Sequence, residues 1–219
     1  MVAATMDDGE PDEKKTKDGQ RFLDKLFDAV IKTDPQKVKA YVDKLRSQNP
    51  DISEEELARK VMNRKAFKNG LIGAITGLGG LITLPVTVPA NLATTWRVQA
   101  TMACAIAYIY GQTLDSADLK TDMYIIIAGD SAKEALKRVG IETSKAVTKR
   151  AVEKYVTGEV MKKIWAIVGR KIVTKAGEKS LTSFMKMVPL VGAPVGFVFD
   201  WTATRVVGET ALRYYSGKG

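Results

Sequence analysis

The sequence predicts an all-α protein, a single-domain helical bundle with two apolar, Gly/Pro-interrupted hairpins packed centrally. Apolar residues recur at helical rather than alternating spacing, and strong helix formers dominate the composition. A hydrophobic content of 45% with 27% charged residues is ordinary for a globular domain and too polar for a bundle of membrane spans. The length of 219 residues is sufficient for one sizeable core.

The first third of the chain contains three helix starts. Residues 1–19 are polar and offer no face for burial, so we expect a disordered acidic and lysine-rich tail, followed by one helical domain over residues 20–219. A first amphipathic helix is expected from about residue 18. Asp34 followed by Pro35 predicts an N-cap and a second helix. A capping box of Ser53 and Glu56 predicts the third helix, which we expect to end near residue 69.

An uncharged segment follows, and it is the most informative feature of the chain. Residues 69–96 include twenty-eight positions without a charged side chain, interrupted by five glycines and two prolines. A membrane-spanning helix needs about 20 regular apolar residues, and the run of fifteen at residues 70–84 ends at Pro85. Two interpretations remain, a core hairpin that allows close backbone approach and a re-entrant element in a membrane interface. The sequence favours the core hairpin.

The remaining chain alternates apolar and basic helices. Residues 90–110 predict a long apolar helix that ends before a glycine, and two shorter helices are expected over residues 118–128 and 131–139. Two basic amphipathic helices should follow, over residues 142–156 and 159–176. A second uncharged unit at residues 187–199, again rich in Gly and Pro, should lead into a last helix from about residue 200 to 215. The candidate membrane or ligand contacts of the two uncharged units are Leu71, Ile72, Ile75, Leu78, Leu81, Ile82, Leu84, Val191 and Val195.

Polar residues within the apolar helices form a second set of candidates. We expect Asp200 to pair with Arg97 or Arg205 across the two hairpins, because an isolated buried charge costs several kcal/mol. Three roles are open for this cluster: a structural ion pair, which is favoured, a pocket for a lipid headgroup or small anion, and catalysis. The candidate buried polar cluster consists of Asn91, Arg97, Asp200, Arg205 and Glu209.

The charge distribution indicates an anionic partner. The formal net charge is +9, and residues 133–186 hold fourteen Lys and Arg against five Glu. Such a surface suits an anionic membrane or nucleic acid, although solvated helix faces would also explain it. Nucleic acid is disfavoured, because aromatic residues do not interleave with the cations and no known binding module is present. The candidate contacts for an anionic surface are Lys162, Lys163, Arg170 and Lys171.

Catalytic signatures are missing from the sequence. The chain contains no histidine, which excludes Ser-His-Asp and Cys-His catalysis and most zinc sites, and it contains no phosphate-binding loop. Cys104 is the single cysteine and is expected to be a buried small hydrophobe. We therefore expect a protein without enzymatic activity, cofactor or metal. The acidic N-terminus lacks the apolar region of a secretory signal, so a cytoplasmic location is expected.

Two motifs resemble the EcsC family. Members carry a GLGG-L-x-T-L-P-V-x-x-P stretch, found here at residues 77–89, and a P-L-V-G-A-x-V-G-x-x-x-D stretch, found here at residues 189–200. The resemblance covers about residues 50–215, and many relatives have Asp at the position after the second proline, where this chain has Ala90 and Asn91. A looser likeness links residues 85–111 to the C-terminal domain of certain membrane-associated bacterial GTPases.

The resemblance implies a fold more than an activity. EcsC-like proteins take their name from a neighbour of an ABC transporter, and the resemblance implies no catalytic residues. We expect a non-enzymatic accessory protein at the cytoplasmic face of the inner membrane, linked to an ABC transporter or to other membrane machinery. The alternative is a soluble carrier or sensor of a hydrophobic or lipid ligand, bound between the hairpins. A hydrolase using Asp200 or Glu209 is a third hypothesis.

Overall fold

The computed structural model describes residues 33–78, 84–114, 117–129 and 189–217, together with single residues between 133 and 154. These described residues form helices and no strand, which confirms the predicted all-α fold. The helices are α1 (Pro35–Ser47), α2 (Glu54–Leu78), α3 (Leu84–Ile109), α4 (Ala117–Ala128) and α5 (Pro189–Ser216). The expected tail, the first amphipathic helix and the second basic helix lie outside the described residues, and of the first basic helix only Lys149, Val152 and Lys154 are described.

Two of the predicted helix starts are confirmed by their hydrogen bonds. The Asp34 carboxylate accepts from the backbone N–H groups of Gln36 and Lys37, so it caps α1 directly before Pro35. At the start of α2, the Glu56 N–H donates to the Ser53 hydroxyl, and the Ser53 N–H donates to the Glu56 carboxylate. These reciprocal bonds satisfy backbone groups that a helix start would otherwise leave without partners.

Helix α2 does not end near residue 69, as the sequence predicted, but continues through Gly70 and Gly73 to Leu78. Helix α5 likewise begins at Pro189 and includes Pro194, rather than starting at residue 200. The predicted bends at these residues are therefore wrong. Glycine is unfavourable in a helix by about 1 kcal/mol relative to alanine, so packing must compensate for it here.

The compensation comes from α5, which packs along α2 in the antiparallel direction. Gly73 and Gly196 meet where the two backbones are closest: a Cβ built on either glycine would overlap the carbonyl oxygen of the other. Further along, Gly70 accommodates the ring of Phe197, and Gly208 accommodates the side chain of Met62. The expected close approach of the two apolar units is thus observed, as a pair of long helices rather than as two hairpins.

The core lies beside this helix pair and is centred on α3. Met102, Ala103, Ala105 and Ile106 of α3 are fully buried. Helix α3 contacts α1, α2, α4 and α5, and side chains of all five helices join one hydrophobic cluster. The long apolar helix predicted over residues 90–110 therefore lies at the centre of the described bundle.

The uncharged segments of three helices meet at one end of the bundle. The five residues 79–83 are too few to run back along α2, which is about 37 Å long, so α3 begins at the end where α2 stops. Because α5 is antiparallel to α2, it begins at that end as well. Residues 69–78 of α2, 84–96 of α3 and 189–199 of α5 carry no charged side chain. These three segments are called the apolar end below.

The crossing of α2 and α5 generates a stability prediction. An alanine at Gly73 would place its Cβ against backbone atoms of Gly196, which cannot move without separating the helices. We expect Gly73→Ala to lower the free energy of unfolding by about 2–3 kcal/mol in urea denaturation.

Gly208→Ala is the matched control. The Cβ of an alanine at residue 208 would approach Cγ of Met62 about as closely as an alanine at residue 73 approaches the Gly196 carbonyl oxygen. The Met62 atom, however, belongs to a side chain that can rotate, and the Gly196 atom belongs to the backbone. The buried Met62 side chain must adopt another rotamer, and the better helix propensity of alanine offsets part of that cost, so we expect a smaller loss than in Gly73→Ala. Equal losses in the two variants would contradict the proposed backbone contact.

Candidate functional site

The apolar end exposes large hydrophobic side chains to solvent. On α2, Leu71 is 46% exposed and Ile75 is 68% exposed. On α5, Val198 is 57% exposed and Phe199 is 62% exposed. Exposed hydrophobic residues are common individually, but several on two adjacent uncharged helix segments are typical of a surface that meets an apolar partner.

A border of ionisable residues marks the limit of the apolar end. Lys68 on α2 and Arg97 on α3 are both exposed, and Asp200 on α5 is half-buried. Each is the first charged residue of its helix when the helix is followed away from the apolar end. On α2, the exposed Phe67 lies at the same border and packs edge-on against Phe197 of α5.

The predicted membrane or ligand contacts are therefore divided. Leu71 and Ile75 are exposed on the outer face of α2 and are not enclosed within a hairpin. Ile72 and Val195 are half-buried. Leu78, Leu84 and Val191 belong to helices, but their side chains lie outside the described part of the chain, as do Leu81 and Ile82 entirely.

Sequence reasoning missed Phe67, Val198 and Phe199. The signal was present for Phe67, because Phe67, Leu71 and Ile75 follow one another at four-residue spacing and so share one helix face. Because the predicted helix ended at residue 69, Leu71 and Ile75 were not assigned to the same helix face as Phe67. Val198 and Phe199 were missed for the same reason, since residues 187–199 were expected to form a bend.

Asp200 lies at the crossing of α2 and α5. A Cβ built on Gly73 would be 2.7 Å from Oδ2 of Asp200, so the carboxylate rests against the backbone of α2. Burial raises the pKa of Asp200 to about 6. The absence of a side chain at Gly73 leaves the space that the carboxylate occupies.

The predicted ion pair of Asp200 is not formed. Arg97 is exposed on α3, and Arg205 contacts the Trp201 ring at 5.1 Å and Glu209 at 3.9 Å. Within the described residues, no cation lies within ion-pair distance of Asp200. The pairing failed because Arg205 is directed along the outer face of α5, whereas Asp200 faces α2. Asn91 is part of α3, and its side chain lies outside the described part.

Glu209 instead joins α5 to α2 through Arg59, with 3.1 Å between Nη1 and Oε1. Arg59 also contacts Glu55, and these two partners raise the pKa of Arg59, Glu55 first. An open groove of about 390 Å³ runs beside this pair. Its described lining residues are Trp201, Thr202, Arg205, Val206, Glu209 and Arg213.

The buried polar network of the bundle is centred on Asp122 of α4, which the sequence analysis did not single out. Its carboxylate accepts hydrogen bonds from Tyr214 Oη at 2.6 Å, Tyr215 Oη at 3.2 Å and Lys149 Nζ at 3.1 Å. Asp122 is 2% exposed. Burial, followed by the charge of Asp122, raises the pKa of Tyr215 well above its usual value. With three donors around one carboxylate, this network stabilises the packing of α4 on α5.

Chemically reactive groups are scarce in the described part of the chain. Burial raises the pKa of the Cys104 thiol to about 12, so this cysteine remains protonated and packs as a small hydrophobe, as expected. No cluster of acids and cysteine among the described residues could hold a metal ion. Among the described helices, none is long and apolar enough to cross a bilayer. The cations Lys162, Lys163, Arg170 and Lys171 lie outside the described residues.

The family is established by sequence comparison. The model of the EcsC protein family matches residues 13–217, nearly the whole chain. The protein therefore belongs to the EcsC family, in agreement with the resemblance of its two Gly/Pro motifs. No curated protein and no solved structure matches the chain.

Removing the Asp122 carboxylate should destabilise the fold strongly. Asp122→Ala removes the buried carboxylate that accepts hydrogen bonds from Lys149 and from two tyrosine hydroxyls, and we expect a loss of roughly 3–5 kcal/mol in the free energy of unfolding. Thermal denaturation followed by circular dichroism measures it. Asp51→Ala, at an exposed position, is the control and should change the stability by less than about 0.5 kcal/mol.

Removing the charge of Asp200 should increase the stability of the fold, in contrast to the loss expected for Asp122→Ala. The pKa of Asp200 is about 6 in the folded protein, against the usual 3.8 expected for the unfolded chain. Protonation of Asp200 therefore stabilises the folded state, and this contribution is lost as the pH rises from about 4 through 6. Two pKa units correspond to at most about 3 kcal/mol, and partial solvent access reduces the effect. We expect Asp200→Asn to stabilise the protein by about 1–2 kcal/mol at pH 7.5.

The stabilisation should decrease as the pH is lowered to 5, because wild-type Asp200 is then largely protonated in the folded state. Urea denaturation of both proteins at the two pH values gives the comparison. A loss of stability in Asp200→Asn at pH 7.5 would show that the carboxylate has a favourable partner.

Proposed function

We propose that this protein is a non-enzymatic accessory protein that attaches to the surface of a membrane by inserting its apolar end into one leaflet. The observation that carries the proposal is the exposure of Leu71, Ile75, Val198 and Phe199 on helix segments that contain no charge. Fully burying such a side chain is favourable by about 1.5–3 kcal/mol, and these half-exposed side chains would gain about half of that each on entering hydrocarbon.

The length of the apolar end supports insertion into a single leaflet. Ten residues of α2 and eleven of α5 extend beyond the border residues, which corresponds to about 15–16 Å along the helix axes. The hydrocarbon of one leaflet is about 15 Å thick, half of the bilayer core. Within these helical segments most backbone polar groups are bonded to one another, as insertion into lipid requires; the exceptions are the last carbonyls of α2 and the first N–H groups of α5.

The border residues support an anionic membrane as the partner. Lys68 and Arg97 are exposed where a headgroup layer would lie, and Arg64 is exposed one turn before Lys68 on α2. Long basic side chains can extend from a helix into the headgroup region while their stems remain in apolar surroundings. The net charge of +9 acts in the same direction.

A carrier with its ligand between the two apolar units receives no support from the described residues. At the predicted position, Gly73 and Gly196 are in direct backbone contact, and no space for a ligand remains between them. The proposal therefore places lipid outside the helix pair rather than between its members. A cytoplasmic location and a link to an ABC transporter belong to the proposal as expectations from the family resemblance.

Two valines of α5 provide a matched test of the membrane contact. Val198 and Val206 are both 57% exposed, but Val198 belongs to the apolar end and Val206 lies about 9 Å beyond Asp200 along the axis. Val198→Ser should weaken binding to phosphatidylglycerol-containing vesicles about tenfold, because about 1.5 kcal/mol of burial is lost. Val206→Ser should bind as the wild type does. Sedimentation with vesicles measures both.

The remaining outcomes are also informative. Equal weakening by both substitutions would show that α5 lies flat on the membrane, and unchanged binding in both would exclude α5 as the contact. A wild-type protein that does not sediment with anionic vesicles would contradict the proposal as a whole.

A further inference from the structure

Asp200 is the first ionisable group that would reach lipid as α5 enters a membrane. It follows the exposed Phe199 directly, and eleven uncharged residues separate it from the start of α5. Its carboxylate is held against the backbone of Gly73 at the closest contact between α2 and α5. It cannot turn away from the border of the apolar end without leaving this contact.

The described helices around Asp200 supply no compensating charge. On α2, residues 69–78 have no ionisable side chain, and the next residue, Lys68, is exposed at the border. On α3 the only charged residue is Arg97, which is exposed, and on α5 the nearest cation is Arg205, which contacts Trp201 and Glu209. The hydroxyl and amide groups at this level, Thr204 and Asn69, are bonded to each other at 2.7 Å.

We propose that protonation of Asp200 controls insertion of the apolar end, so that the ionised carboxylate holds the protein at the membrane surface and the neutral acid permits full insertion into one leaflet. The inference rests on the proposed function and adds its regulation. At full insertion Asp200 lies at the boundary between headgroups and hydrocarbon, where the apolar end restricts the access of water to its carboxylate. An ionised carboxylate without a partner is disfavoured there, whereas a neutral carboxylic acid is tolerated far better. Partial burial in the free protein already raises the pKa of this group to about 6, so a mildly acidic pH is sufficient to neutralise it.

The direction and size of the effect follow from the population of the neutral form. With a pKa of about 6, Asp200 is mostly neutral at pH 5 and only a few per cent neutral at pH 7.5. If the neutral form is the one that inserts, the apparent affinity is reduced in proportion to its fraction. Wild-type binding to vesicles should therefore be stronger at pH 5 than at pH 7.5, by about tenfold and at most about thirtyfold.

Vesicle sedimentation of the full chain tests the proposal with three proteins at the two pH values. The vesicles contain phosphatidylcholine and phosphatidylglycerol, whose headgroups do not titrate between pH 5 and 7.5. Wild type should show the pH dependence, and Asp200→Asn should bind strongly at both pH values. Asp51→Asn removes an exposed acid elsewhere and should keep the wild-type pH dependence.

Insertion depth provides a second readout. Trp201 is adjacent to Asp200 and serves as the probe once the other two tryptophans are replaced by phenylalanine in both proteins. Brominated acyl chains should quench its fluorescence at pH 5 in the wild type and at both pH values in Asp200→Asn. Circular dichroism confirms that each variant is helical. The wild-type binding curve itself should have its midpoint near pH 6.

Failure of this inference is distinguishable from failure of the proposed function. If Asp200→Asn retains the pH dependence of the wild type, or if wild-type binding is independent of pH, control by Asp200 is overturned while membrane attachment stands. If neither protein binds these vesicles at either pH, the attachment itself is contradicted.

Discussion

The contact between Gly73 and Gly196 is the constraint on which the rest of this structure depends. Two helix backbones can approach this closely only where both lack a Cβ. The contact fixes the level at which the two helices pair, and the ring of Phe197 against Gly70 and the hydrogen bond between Asn69 and Thr204 follow it on the side away from the apolar end. Placing larger residues at the crossing would separate the helices and break these neighbouring contacts.

The same contact explains why large apolar side chains are found on the outside of the bundle. Near the apolar end, backbone atoms fill much of the space between α2 and α5, so bulky side chains such as Leu71 and Phe199 project outward. Further along the pair, Met62 packs against Gly208 and near Met102, and the interior is filled by side chains in the usual way. The bundle thus has an ordinary core in its middle and a narrow end whose hydrophobic residues face outward.

The sequence predicts the helical class and the local signals well, because these depend on neighbouring residues. The Asp34 cap and the Ser53–Glu56 capping box are confirmed for that reason. The continuation of α2 through Gly70 and Gly73 could not be predicted in the same way. Glycine is unfavourable in an isolated helix, and only the contact with a segment more than one hundred residues later makes it favourable here.

The membrane interpretation shows the same dependence on long-range structure. The uncharged segment was visible in the sequence, but which of its residues are exposed depends on whether α2 continues as a regular helix beyond residue 69. Once α2 is continuous, Leu71 and Ile75 lie on one outer face, following Phe67. The predicted pairing of Asp200 with Arg205 was wrong because residues five apart on one continuous helix point in directions about 140° apart.

Asp122 and Asp200 are two carboxylates with different surroundings. Those of Asp122 suit a structural role, and those of Asp200 suit a role that depends on its protonation state. Asp122 is surrounded by two tyrosine hydroxyls and a lysine, so its charge is compensated and the group contributes to the packing of α4 and α5. Asp200 rests against a glycine backbone with no cation near it in the described helices, so its charge is tolerated only while water reaches it. A carboxylate required only for folding would gain from a partner like those of Asp122. The position of Asp200 at the border of an exposed apolar end is instead suited to a group whose protonation state changes with its environment.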